Sequence, residues 1–132
     1  MSEGRGALRF RRLWQVLGAA LVVAVIGLSL TPTPPQPLGF DGADKLEHLF
    51  AYGVLMGWYM QLYATVRARA AIAAALVALG ISLEILQALG GARTYDLADM
   101  AANGSGVLLT WALLPAPATA ILHTIEARLR RG

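Results

Sequence analysis

The side chains best suited to chemistry lie in three short polar stretches of an otherwise apolar chain. The stretches hold carboxylates, a histidine, a tyrosine, two cations and two amides, in a sequence without cysteine. A charged side chain within a membrane helix costs about 2.5 to 3.5 kcal/mol on insertion scales, so such residues indicate a site. They are Asp44, Lys45, Glu47, His48 and Tyr52, then Glu84 and Gln87, then Arg93, Asp96, Asp99 and Asn103.

These groups favour acid–base chemistry and the binding of an anion. We expect His48 to act as general acid or base, oriented by Glu84 or Asp99, which makes these three the candidate catalytic residues. Lys45 and Arg93 would hold a phosphate. No serine or cysteine is placed to act as a nucleophile, so acyl-enzyme chemistry is disfavoured, and the residues leave open whether any reaction is catalysed. The other substrate-binding candidates are Asp44, Tyr52, Gln87, Asp96 and Asn103.

A metal site is the variant of this hypothesis. His48, Glu84 and Asp99 are hard or borderline ligands, but a single histidine at this depth favours a weak divalent ion, or none, over tight zinc. We therefore predict no cofactor, with these three residues as the weak metal candidates.

Most of the polar residues also have a purely structural interpretation. Asp44 and Asp96 are each followed by an acid three residues later, as in capping boxes at helix starts. Gln87 and Asn103 suit hydrogen bonds between membrane helices. His48 and Glu84 fit neither description, so the functional interpretation depends chiefly on them.

Composition and hydropathy place these stretches in a membrane protein. The 132 residues are 57% hydrophobic and 14% charged, with a mean hydropathy of +0.57, which is not the composition of a soluble domain. We predict an all-α polytopic membrane protein, a single domain over residues 1–132. Its four transmembrane helices are expected near 13–30, 45–66, 70–89 and 97–114, with an amphipathic interfacial tail helix near 117–131 and a proline-rich extended connector over 31–42.

The basic residues predict the orientation. Nine of the eleven lysines and arginines fall on one side of the predicted bundle, so we expect a multi-pass protein with both termini in the cytoplasm. The polar stretches then face the extracytoplasmic side. The nine are Arg5, Arg9, Arg11, Arg12, Arg67, Arg69, Arg128, Arg130 and Arg131.

Residue spacing predicts that the three stretches converge. Asp44, His48 and Tyr52 are four apart and share one face of the second helix. Asp96, Asp99, Asn103 and Gly106 share one face of the fourth helix. Glu84 and Gln87 lie near the outer end of the third helix, at a matching depth.

Over about residues 41 to 107, these motifs resemble the VanZ-like family of small bacterial membrane proteins. The resemblance rests on Asp44-Lys45 with His48 and Tyr52, on Glu84 with Gln87 after Gly80, and on Arg93 followed by Asp96, Asp99, Asn103 and Gly106. It implies a cell-envelope protein, because the founding member is associated with resistance to the glycopeptide antibiotic teicoplanin. It supplies no biochemical activity.

Two functions from different classes follow. In the first, the site binds or processes the headgroup of an anionic envelope lipid or lipid-linked glycan. In the second, the polar residues form an interhelical network in an accessory or structural subunit, with a membrane-protein partner or a second copy of the chain. A transporter fits poorly because four spans without an internal repeat give no continuous path. Nucleic acid is not expected as a partner, because the positive charge follows membrane topology.

Overall fold

A computed structural model describes residues 7–91, 94 and 96–131, and these residues form an all-α bundle without strands. The predicted fold class is confirmed to this extent. Arg93, one of the predicted site residues, lies outside the described residues. The elements are α1 (Arg11–Leu30), α2 (Ala43–Leu62), α3 (Val66–Leu89), α4 (Leu97–Leu113), a 3-10 helix (Ala116–Ala120) and α5 (Ile121–Leu129).

The first four helices pack side by side, with α2 and α4 forming the most extensive interface. The end of α1, the start of α2, the end of α3 and the start of α4 lie together at one end, called here the polar end. The opposite end carries the arginines that flank α1, α3 and α5, and is called here the basic end. α2 and α4 run in the same direction, since Lys45 meets Asp99 at the polar end and Gly53 meets Thr110 further down.

Glycine permits the close approach of α2 to α4. A β-carbon added to Gly106 would lie 2.1 Å from the carbonyl oxygen of Leu49, and one added to Gly53 would lie 2.9 Å from the Thr110 hydroxyl. Real side chains do not tolerate the first of these distances. The backbones of α2 and α4 can therefore touch only because these positions lack side chains, as is common between membrane helices.

The interior of the bundle is apolar, and so is much of its outer surface. The main buried cluster comes from α2, α3 and α4 and includes Leu55, Met56 and Val107. Outside, large apolar side chains are also exposed, with Phe50 at 72% and Leu89 at 79% exposure. A surface of this kind is suited to lipid rather than water.

Judged by the length and composition of the helices, the predicted count of four spanning helices is wrong. Only α1 and α3, among the described residues, are long and apolar enough to cross a membrane, and the count rises to three if α4 and the tail are taken as one bent span. α2 falls short because polar residues such as Lys45, Glu47 and Gln61 lie near its two ends. α4 falls short because it has 17 residues.

The second connection lies four residues earlier in the sequence than predicted, because α2 ends at Leu62 and α3 begins at Val66. The Arg69 guanidinium donates to the carbonyl oxygens of Tyr63 (2.8 Å) and Met60 (3.1 Å), which are left without helical partners where α2 stops. The Thr65 hydroxyl caps α3 by accepting from the Ala68 amide at 3.2 Å. These bonds satisfy backbone groups that a helix end otherwise exposes.

The tail helix exists but is not a free surface helix. α4 ends before Pro115, and the tail then turns by 92°, since proline removes a backbone donor and clashes with the preceding turn. Leu122 and Glu126 are buried against the bundle, whereas Ile121, Ile125 and Leu129 are exposed. Some apolar side chains of the tail therefore pack against the bundle, and the others are exposed on its outer surface.

Glu126 joins the tail to the start of α1. Its carboxylate accepts hydrogen bonds from the backbone amides of Arg9 (2.7 Å) and Phe10 (2.9 Å) and from the indole N–H of Trp14 (2.8 Å). The two amides belong to the unsatisfied donors that precede a helix, so Glu126 caps α1 from a distance of more than one hundred residues in sequence.

The substitution Glu126→Ala should therefore destabilise the basic end. We expect the free energy of unfolding to fall by about 2 kcal/mol, because three donors lose one charged acceptor. Unfolding in detergent, followed by tryptophan fluorescence, measures this directly through Trp14. The exposed Thr124→Ala, in the same helix, should change stability by less than about 0.5 kcal/mol, and an equal effect of the two substitutions would contradict the capping role.

Candidate functional site

Lys45 lies at the centre of an ion-pair cluster at the polar end. Its Nζ atom is 2.8 Å from Asp44 Oδ2, 2.6 Å from Asp96 Oδ2 and 2.5 Å from Asp99 Oδ1. The contact with Asp99 is an ion pair without the alignment of a hydrogen bond. One cation therefore faces three carboxylates, which leaves this cluster with an excess of negative charge.

The capping interpretation holds for Asp96 and not for Asp44. Asp96 Oδ1 accepts from the Ala98 amide at 2.8 Å, at the start of α4. The hydrogen bond from Lys45, followed by that from the Ala98 amide, holds the pKa of Asp96 below its ordinary value of 3.8. In α2 the capping position is Gly42, whose φ of 81° lies in the left-handed region that favours glycine. Asp44 instead turns its carboxylate to Lys45.

His48 is held by Asn103 across the α2–α4 interface. His48 Nδ1 is 2.9 Å from Asn103 Oδ1. Because an amide oxygen can only accept, Nδ1 carries the proton and Nε2 keeps its lone pair in the neutral ring. The carboxylates predicted to orient the ring stand further away, with Glu84 Oε1 4.0 Å from Nδ1 and Asp99 Oδ2 4.0 Å from Nε2. Asn103 is therefore the direct orienting group.

Several polar side chains around His48 are almost fully buried. Glu84 is 3% exposed, Asp99 5% and Asn103 2%. Gly80 allows this packing, because a β-carbon there would lie 3.0 Å from Asn103 Nδ2 and 3.3 Å from the Tyr52 ring. The Tyr52 hydroxyl, one turn below His48, is also buried and has no hydrogen-bond partner among the described residues. A buried hydroxyl without a partner is costly in a folded protein.

Gln87 has the structural role that its residue type suggested. Its side-chain amide donates to the backbone carbonyl of Ser29, which ties α3 to the end of α1. Glu47 makes a similar tie, since its carboxylate accepts from the Leu38 amide at 3.2 Å and so holds the connector against α2.

A cavity of about 300 Å³ opens beside His48. The polar part of its wall comes from α2 and α3, and the apolar part comes from the end of α1 and the proline-rich connector. The sequence predicts the connector only as an extended link, whereas in the structure its prolines line the cavity. The lining residues are Val25, Leu28, Ser29, Pro34, Pro35, Gln36, Pro37, Asp44, Glu47, His48, Ala51, Tyr52 and Gln87.

The described site residues meet at the polar end, as their spacing predicts. They divide between two neighbouring regions. Asp44, His48, Tyr52 and Gln87 line the cavity, whereas Lys45, Glu84, Asp96, Asp99 and Asn103 lie behind it. In the sequence, only the prolines that follow the first predicted span point to the apolar wall of the cavity. Because they show no helix or strand periodicity, the sequence does not predict which surface they form.

The arrangement supports proton transfer and ion binding. His48 lies at the edge of the cavity, with carboxylate oxygens of the buried Glu84 and Asp99 4.0 Å from its ring nitrogens. Lys45 could bind a phosphate only by giving up one of its three carboxylate partners.

Comparison with protein-family models, curated proteins and solved structures finds no match for this chain. The resemblance to the VanZ-like family therefore rests on the motifs themselves.

Proposed function

We propose that this protein binds the polar head of an envelope lipid, or of a lipid-linked glycan precursor, at the outer boundary of a bacterial cytoplasmic membrane. The cavity beside His48 supports the proposal. One side of it is apolar and belongs to a spanning helix and three prolines, and the other side is polar and contains the only histidine of the polar end. Amphiphilic ligands fit sites of this kind, with apolar walls and a few convergent polar groups.

The charge distribution supports the orientation. α1 and α3 are long and apolar enough to cross a membrane, and arginines surround the starts of both. The positive-inside rule then places the basic end in the cytoplasm and the polar end outside. The exposed Ile121, Ile125 and Leu129 of α5 would lie at the inner membrane surface, next to arginines that suit lipid phosphates.

The acceptors at the cavity favour a headgroup rich in hydroxyl groups. Asp44, Glu47 and Gln87 present oxygens, and Lys45 is already engaged by carboxylates. Sugar hydroxyls donate hydrogen bonds to such oxygens, whereas a bare phosphate would be repelled by them. A lipid-linked glycan is therefore our preferred ligand, and the motif resemblance to VanZ-like proteins, with its link to glycopeptide resistance, is consistent with an envelope precursor.

Filling the cavity should abolish ligand binding without disturbing the ion pairs. The substitution Ala51→Phe puts a ring into the cavity beside His48, whereas Ala75→Phe places the same ring on the exposed side of α3. Native mass spectrometry after mild detergent extraction should find a bound lipid in wild type and in Ala75→Phe. We expect retention to fall by more than about tenfold in Ala51→Phe, which corresponds to about 1.4 kcal/mol. Equal retention in all three proteins would refute the proposed site.

A structural role is the second candidate, and the contacts between helices at the polar end favour it. Lys45 and His48 tie α2 to α4, and Gln87 ties α3 to α1. An accessory subunit of this kind would co-purify with a membrane protein in stoichiometric amount and without lipid. The same mass spectra separate the two functions, because they report bound protein and bound lipid together.

A further inference from the structure

We propose that His48, Glu84 and Asp99 bind a divalent cation of the Mn²⁺ or Zn²⁺ class. One nitrogen of His48 and one oxygen of each carboxylate lie within 4.8 Å of one another. The three residues come from α2, α3 and α4, so an ion at this point would join three helices of the bundle. Glu84 and Asp99 are buried, and His48 reaches the cavity.

The donor atoms need only a small contraction. Metal–ligand distances of about 2.1 Å place tetrahedral donors about 3.4 Å apart. Asp99 Oδ2 stands 4.0 Å from His48 Nε2 and Glu84 Oε1 stands 4.0 Å from His48 Nδ1, and one donor atom of each residue lies within 4.8 Å of the others. The proposal therefore requires the Glu84 and Asp99 side chains to rotate toward the ring, which closes the donor separations by up to about 1.4 Å around the ion.

Asn103 and Lys45 hold two of the proposed ligands, His48 and Asp99, in place. Asn103 Oδ1 accepts a hydrogen bond from the Nδ1–H group of His48, which leaves Nε2 as the ligand atom on the side of Asp99. Metal-binding histidines almost always donate their other N–H to an oxygen in this way. Asp99 divides its oxygens, with Oδ1 at Lys45 and Oδ2 toward His48, so metal binding leaves the ion pair intact.

The Tyr52 hydroxyl is an independent sign of a ligand. It is 98% buried, has no hydrogen-bond partner among the described residues and lies on the wall of the cavity that His48 lines. It also lies within electrostatic range of the Glu84 carboxylate. A water molecule bound to the metal would provide the missing partner, since polar groups buried at this depth require one.

The donor set selects the kind of metal. Mg²⁺ and Ca²⁺ prefer oxygen ligands alone, and the soft metals prefer thiolates, which the chain lacks. One imidazole with two carboxylates suits Mn²⁺ or Zn²⁺. The excess of carboxylates around Lys45 would further attract a cation to this end of the bundle.

The role of the ion rests on the proposed function, whereas its binding does not. A cation next to His48 would let an acid-rich cavity accept the phosphate of a lipid-linked glycan, which Lys45 is not free to do. Metal binding itself can be tested without any lipid.

The two histidines of the chain give an internal control for the test. His48 belongs to the proposed site, and His123 lies in α5 at the basic end. The full chain, purified in detergent, freed of metal and labelled with ¹⁵N-histidine, is titrated with MnCl₂ and observed by NMR. Paramagnetic broadening should affect the His48 ring at substoichiometric Mn²⁺ and spare His123. Equal broadening of both rings, or none at equimolar Mn²⁺, would overturn the proposal.

Variants then assign the ligands. Isothermal titration with ZnCl₂ should show one site per chain, and binding should weaken at least about tenfold in His48→Gln, Glu84→Gln and Asp99→Asn. Asp41→Asn, which changes an exposed acid outside both the donor set and the cavity lining, should stay within about twofold of wild type. Uniform weakening in all four would identify nonspecific attraction instead. If a variant fails to fold, the NMR result on wild type still decides. Lipid retention without metal binding would refute the ion alone, and metal binding without lipid would refute the proposed function alone.

Discussion

Replacing Gly106 with valine should separate α2 from α4 and lower the free energy of unfolding by more than about 3 kcal/mol. A β-carbon at this position would lie 2.1 Å from the Leu49 carbonyl oxygen, which is backbone and cannot rotate away. Adding a larger side chain to a well-packed core costs about 1 to 3 kcal/mol. A side chain that clashes with backbone atoms should cost more, because backbone cannot move aside as a side chain can. The lost free energy of unfolding is measured by raising the mole fraction of SDS in mixed micelles and following the fluorescence of the three tryptophans.

Gly104 supplies a matched control two residues away in the same helix. A β-carbon at Gly104 meets no atom within 4 Å, so Gly104→Ala should leave stability unchanged or raise it by up to about 1 kcal/mol through helix propensity. The same loss in both variants would mean that α4 tolerates no substitution here, and the close approach to α2 would not be the cause. His48 should also lose its bond to Asn103 in the valine variant, since both residues lie across this interface.

Removing the charge of Lys45 should give the second large effect. In Lys45→Met, the buried Asp99 loses its cation, and Asp44 and Asp96 are left facing it. Breaking one partner of a buried pair costs about 3 to 5 kcal/mol, and Lys45 is 32% exposed, so we expect a loss of about 2 to 4 kcal/mol. Detergent unfolding of the full chain provides the measurement.

A double-mutant cycle separates the ion pair from the packing of the lysine stem. Adding Asp99→Asn to Lys45→Met should restore more than half of the lost stability, because the unpaired buried charge is then removed. Asp96→Asn should restore less, since its side chain is 42% exposed and water compensates it. If neither second substitution restored stability, lost contacts of the methylene stem would account for the effect.

Helix positions and the convergence of the polar residues were predictable from the sequence. A spacing of four between Asp44, His48 and Tyr52 puts them on one side of a helix wherever that helix packs. The number of spans was not predictable in the same way. The polar residues at the ends of α2 indicate a site by their type, but they also lower the hydropathy of α2 below that of α1 and α3.

The partners of individual side chains required the structure. Nothing in the spacing indicates that Lys45 contacts three carboxylates, or that Asn103 rather than Asp99 bonds to the His48 ring. Both depend on how closely α2 and α4 approach, which a glycine opposite a backbone carbonyl decides. The link from Glu126 to the start of α1 joins the two ends of the sequence, so local patterns contain no trace of it.

The two sides of the cavity are fixed by different kinds of contact, backbone packing on the polar side and side-chain hydrogen bonds on the apolar side. The polar side is part of the α2–α4 pair, where backbone touches backbone at Gly106 and leaves little freedom for sliding. The side formed by α1 and the prolines is joined across the cavity through Gln87 to Ser29 and through Glu47 to Leu38. Under the proposed function, selection by headgroup chemistry and selection by chain size would therefore be encoded in separate stretches of sequence. Changes in the connector would then alter which lipid tail is admitted while the chemistry around His48 stays constant.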